Sequence, residues 1–116
     1  MTGELIIPAG VPPFQDGTAH ISLEDVSYAD AFSETVVEST FPGIRHAVEG
    51  QDTAVPFALH ASSGVAVDPK ADYAVQAWID CDADGRLGKG DLTGDQVYRV
   101  LTRGFGSTVT IVLRQV

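Results

Sequence analysis

Twelve residues hold most of the chemistry that the sequence offers, the run Asp80-Cys81-Asp82-Ala83-Asp84-Gly85-Arg86-Leu87-Gly88-Lys89-Gly90-Asp91. Carboxylates occupy its first, third, fifth and twelfth places, a glycine the sixth and an apolar residue the eighth, the ligand order of a calcium loop of the EF-hand or dockerin kind. Asp80, Asp82 and Asp84 follow at intervals of two, so a curled backbone points them at one centre, and Gly85 can take the positive φ that closes the curl. Arg86 would add its carbonyl. Asp91 would close the shell as the last ligand, one methylene shorter than the usual glutamate. The alternative is a solvated hairpin loop, since Asp, Gly and Lys are common turn residues and Arg86 with Lys89 cuts the local charge from four negatives to two. Electrostatics favours the ion: carboxylates about 6 Å apart repel by roughly 0.7 kcal/mol in water and about 3 kcal/mol at an effective dielectric of 20. Magnesium fits less well, because it prefers a small octahedral shell with several waters.

These residues need elements to hold them, and the chain around them alternates apolar and polar residues with period two. Strands are expected over Glu4 to Pro8, Thr18 to Ser27, Glu34 to Phe41 (stopped by Pro42-Gly43), Thr53 to His60, Tyr73 to Asp80, Gln96 to Thr102 and Thr108 to Val116. Pro56 cannot donate to a ladder, so its strand belongs at a sheet edge or carries a bulge. Ala61 to Lys70, rich in Ser and Gly with an Asp-Pro pair, reads as a long crossing connection. Tyr73, just after the Asp68-Pro69 turn, is either a tyrosine corner or an ordinary core tyrosine. Seven short strands without helices imply one all-β domain, 1–116, an antiparallel β-sandwich of immunoglobulin-like or transthyretin-like form. The acidic loop would cap the hairpin joining the fifth and sixth strands. Calcium there would stiffen the connection and not open a groove.

Composition limits function. The 116 residues hold 16 acids and 7 bases, for a formal net charge of −9. Residues 1–85 carry 14 acids and 2 bases, and residues 86–116 carry 2 acids and 5 bases. Such a surface repels phosphate, which argues against nucleic acid. No apolar run approaches the roughly 18 residues of a membrane-spanning helix, and Met1-Thr2-Gly3-Glu4 lacks the basic start of a signal peptide. Cys81 is the single cysteine and reads as a surface thiol, open to an inter-chain disulfide. An enzyme is not expected: Gly-x-Ser-x-Gly, His-Glu-x-x-His and a phosphate-cradling loop with Lys are all missing. His20 and His60 are expected to face outward from strands and His46 to lie in a loop, all solvated.

Beyond strand periodicity, several blocks resemble the bacterial YscW/YbaY family of small lipoproteins, which includes pilotins of type III secretion systems. They are Gly3-Glu4-Leu5-Ile6-Ile7-Pro8, Ile21-Ser22-Leu23-Glu24-Asp25-Val26-Ser27 with Ala29-Asp30-Ala31, Val55-Pro56-Phe57-Ala58-Leu59, Asp68-Pro69, Tyr73-Ala74-Val75-Gln76-Ala77 and Tyr98-Arg99-Val100-Leu101-Thr102. The resemblance implies a β-sandwich in the cell envelope with a role in binding or escorting a partner protein without chemistry. The surfaces expected to meet another envelope protein are the sheet edges, the strand of Pro56 among them, or the loops; the expected location is periplasmic or secreted, with the cytoplasm as the alternative. The family's lipidated cysteine at the mature N-terminus has no counterpart at the start of these residues.

Overall fold

The computed structural model describes residues 1–27, 34–47, 50–60, 68–82, 85–95, 97–102 and 104–116, and every regular element among them is a strand. In chain order these are β1 (Thr2–Ile7), β2 (Phe14–Asp25), β3 (Glu34–His46), β4 (Thr53–Ala58), β5 (Tyr73–Asp80), β6 (Leu92–Gly94), β7 (Tyr98–Val100) and β8 (Thr108–Gln115). Period-two patterning sorts the side chains. In β2, Ala19, Ile21 and Leu23 are buried while His20 and Ser22 are half-buried on the opposite face. In β8, Ile111 and Leu113 are buried between exposed Thr110, Val112 and Arg114.

Hydrogen bonding links the strands in one path, β3-β2-β5-β6-β8-β1-β4, with β7 also paired to β5. Residues from both ends of that path, Ile21, Leu23 and Ile44 on one side and Leu5, Ile7 and Phe57 on the other, share a single core. The sheet is therefore rolled onto itself in a nearly closed, barrel-like form. This corrects the expected sandwich of about seven strands, immunoglobulin-like or transthyretin-like, in two respects: the described residues hold eight strands, and β1 runs parallel to β8. The cause lies in β8. Its Thr108–Val112 stretch pairs with β1 and its Leu113–Gln115 stretch with β6, so one strand carries the ladder across what would be the break between two sheets.

Local departures have local causes. Pro42-Gly43 does not stop β3; Gly43 takes φ +74° and the register with β2 shifts there, a bulge that bends the strand without ending it. β6 was not expected at all, because Leu92-Thr93-Gly94 is too short to show a period. Of the strand expected over Gln96 to Thr102, Gln96 lies outside the described residues and the rest forms only β7, ending where Leu101 takes φ +72°. Pro56 does sit in an edge strand, since among the described residues β4 pairs only with β1. Tyr73 is buried and its hydroxyl accepts the Asp68 N–H at 2.9 Å, so this core tyrosine also ties the turn ahead of its strand. Of the expected crossing connection, 61–67 lies outside the described residues.

Candidate functional site

β5 delivers the first residue of the acidic loop and β6 follows its last. Asp80 ends β5 opposite Thr18 of β2, and Asp91 stands immediately before Leu92, which pairs with Ile79. Both carboxylates are deeply buried, Asp80 3 % and Asp91 1 % exposed. Burial of an ionised carboxylate is costly unless it is hydrogen-bonded, and the loop backbone supplies the donors. Asp80 Oδ2 accepts the Gly85 N–H at 2.8 Å. Asp91 Oδ1 accepts the Cys81 N–H and Oδ2 the Gly88 N–H, both at 2.9 Å. Gly85 has the positive φ expected of it, +77°. The C-terminal residues brace the far side: Val116 N–H bonds to Asp91 O at 2.9 Å, and the Gln115 amide reaches Gly90 O at 3.4 Å.

Three of the five expected ligands thus converge. One carboxylate oxygen from each of Asp80, Asp82 and Asp91 lies within 4.8 Å of the other two, with Asp82 exposed between its buried neighbours. Ligands on opposite sides of a calcium ion at 2.3–2.6 Å stand about 4.6–5.2 Å apart, so three oxygens at this spacing fit around one such ion. Asp84 lies outside the described residues, and Arg86 is exposed. Asp91 has a further role that the ligand pattern does not announce: its two oxygens pin both limbs of the loop. The burial that permits this comes from chain closure by residues 115–116, which are remote in sequence.

Cys81 is half-buried against the core and not a solvent-facing thiol as expected. Burial first, then the negative charges of Asp91, Asp80 and Asp82, push its pKa up to about 11. His46 also departs from expectation. It belongs to β3, is fully buried, and its Nδ1 lies 2.6 Å from Thr53 Oγ1 while Nε2 has no hydrogen-bond partner among the described residues. The extension of β3 past Pro42-Gly43 explains this, because it turns the expected loop position into an inward-facing strand position. Beside the loop, His20 and Trp78, register partners on β2 and β5, stack with centroids 4.2 Å apart and planes 9° from parallel. Exposed Leu87 shares their recess. Alternation placed both rings on the outer face, but their contact depends on the β2–β5 register, which a single strand does not specify.

Against known proteins, residues 1–113 match the family model described as the type III secretion system lipoprotein chaperone, YscW. The chain belongs to the YscW family. This YscW-family chain is also similar to a solved structure described as an alternative pilotin from the type II secretion system of Vibrio cholerae. The match has 22% sequence identity and a TM-score of 0.70, covering 100% of this chain and 95% of that one. At that identity the likeness concerns the fold. No curated protein matches.

Proposed function

We propose that this chain is a non-enzymatic assembly factor of the bacterial cell envelope, binding another envelope protein in the manner of a secretion-system chaperone. The observation that carries the proposal is the family match across residues 1–113. The pilotin-like fold supports it. Site-specific cross-linking from the surface of the rolled sheet in living cells, followed by identification of the cross-linked proteins, tests it. A recurrent secretion-apparatus component is the expected product; only ribosomal and cytosolic abundant proteins would overturn the reading.

The acidic loop serves this role as a brace. Asp80, Asp82 and Asp91, with Asp84 and the Arg86 carbonyl completing the shell, hold a calcium ion that stiffens the connection between β5 and β6. Support comes from the mutual approach of three carboxylate oxygens within 4.8 Å. At millimolar calcium and a dissociation constant of 0.1–1 mM, the range of extracellular modules, the ion would add roughly 0.4–1.4 kcal/mol of stability. Such a site would be filled outside the cytoplasm and empty at sub-micromolar calcium. A second reading, a loop closed by carboxylate to backbone hydrogen bonds alone, draws on the two N–H groups already held by Asp91. Calcium titration of the melting temperature separates the two.

A further inference from the structure

Among the described residues the rolled sheet does not close and has two edges, β3 and β4, and hydrogen-bond parity shows that they are not equivalent. On the β4 side, Met1 and Leu59 exchange both backbone bonds at 2.9 Å, so Met1/Leu59, Gly3/Phe57 and Leu5/Val55 are the hydrogen-bonded pairs. Pro56, opposite Glu4, falls between them, and its nitrogen faces the free edge. β4 therefore offers a proline in the middle of the only row another strand could use, a standard block against pairing.

The same parity opens β3. Val26 donates to Asp72 O at 2.8 Å, which fixes the even-numbered residues of β2 as those bonded to β5 and leaves Ala19, Ile21 and Leu23 to bond β3. Their partners are Phe41, Ser39 and Val37. The N–H and C=O groups of Glu38 and Thr40 consequently point away from the sheet, and no strand among the described residues pairs with them; beyond Val37 a second bulge, where the register shifts between Leu23 and Glu24, ends that alternation. No proline or basic residue guards residues 34–41. Val37 and Phe41 are half-buried at the rim of the core, on the inner face that an added strand would extend.

We propose that β3 is the docking edge, and that its occupant is an extended segment of a partner protein, joining as an added strand along Val37–Phe41 with basic residues on its outer face. Charge selects that occupant. Glu38 is exposed in the open row, on a chain of net charge −9. A second copy pairing antiparallel about that residue would set Glu38 against Glu38, and like charges directly opposite one another disfavour a pair. Backbone bonds supply affinity, and valine-like side chains beside Val37 and Phe41 with lysine-like ones beside Glu38 supply selectivity. The inference rests on the protein-binding reading only for the kind of partner; the asymmetry of the two edges does not depend on it.

The test uses a capped heptapeptide of alternating valine and lysine, and the same peptide with glutamate in place of lysine. Amide exchange followed by NMR should show Glu38 and Thr40 exchanging freely in the protein alone and becoming protected with the lysine peptide. Val37, Ser39 and Phe41 should be slow throughout. Thr40→Pro removes one outward N–H without touching the β2 ladder, so its melting temperature should hold while peptide affinity falls about tenfold, the loss of roughly one well-made hydrogen bond. Glu38→Lys, a surface change that keeps every backbone group, should reverse the order of the two peptides. Slow exchange of Glu38 and Thr40 without peptide, unchanged affinity in Thr40→Pro, or equal binding of both peptides in the unaltered protein would each overturn the proposal. Were Thr40→Pro to keep its in-cell cross-links to a secretion component, the assembly role would stand and the β3 edge would fall.

Discussion

Replacing Asp82 by asparagine should stabilise the protein in chelator and leave it less responsive in calcium, and the sign of that reversal is fixed by geometry. Asp82 shares a space under 4.8 Å across with Asp80 and Asp91. At the dielectric of water, two unit charges at that distance repel by about 0.9 kcal/mol, so removing the Asp82 charge relieves about 1–2 kcal/mol over the two pairs. Asparagine keeps one acceptor oxygen and nearly the same volume. For 116 residues, 1 kcal/mol corresponds to about 4 °C in melting temperature. In excess chelator Asp82→Asn should therefore melt about 4–8 °C above the wild type. In 10 mM calcium, with a dissociation constant of 0.1–1 mM, the wild type gains about 1.4–2.7 kcal/mol, or roughly 6–11 °C, and the variant gains little. Scanning calorimetry of both proteins in both buffers gives the four values needed. If calcium moves neither protein and Asp82→Asn melts lower in chelator, the carboxylates are only hydrogen-bond acceptors for the loop and the ion has no place in it.

Three further outcomes follow from single contacts. Tyr73→Phe removes the acceptor of the Asp68 N–H and should cost about 1 kcal/mol, seen as a drop of about 4 °C on thermal melting, with the strand pairing of β5 unchanged by NMR. Gly3→Ala would place a methyl group 2.3 Å from Val109 O and 2.7 Å from the Phe57 ring, so β1 and β8 must part; a loss of about 3 kcal/mol in urea unfolding is expected, against almost none for Gly10→Ala, where the space is open. The Cys81 thiol, held up to about 11, should resist iodoacetamide in chelator at pH 8 and react progressively faster as pH rises toward 11. Because the folded-state value is the raised one, its contribution to stability is complete below the pKa of an unfolded thiol and is lost as pH climbs through about 11, which alkaline melting curves would show.

The parts of this fold that the sequence displays are those settled within one strand. β5 begins and ends where its alternation predicts, at Tyr73 and Asp80, and the last strand differs by one residue at its end. Pro56 limits its strand to an edge or a bulge because a missing donor has the same consequence in any sheet, and the edge is what the structure has. What the sequence conceals depends on partners. The β1–β8 register is parallel, and parallel and antiparallel strands share the same period; the continuation of β8 from β1 to β6, which rolls the sheet, leaves no mark in Thr108–Gln115 itself. His46 looked solvated because Pro42-Gly43 usually ends a strand, and here a bulge absorbed the pair. In the loop, the spacing of Asp80, Asp82 and Asp91 was readable and their convergence followed. The burial of Asp91 was not, since it depends on Val116 and Gln115 folding back across Gly90 and Asp91.

The neighbouring placement of β1 and β8 bears on folding. Leu5 and Ile7 share their core with Ile111 and Leu113, which lie more than a hundred residues further along the sequence. Of the two ribbons that flank β1, β4 is the nearer in sequence and β8 the farther. One flank of β1 is therefore a greasy seam that only a distant stretch can seal, the kind of long-range closure that makes folding slow.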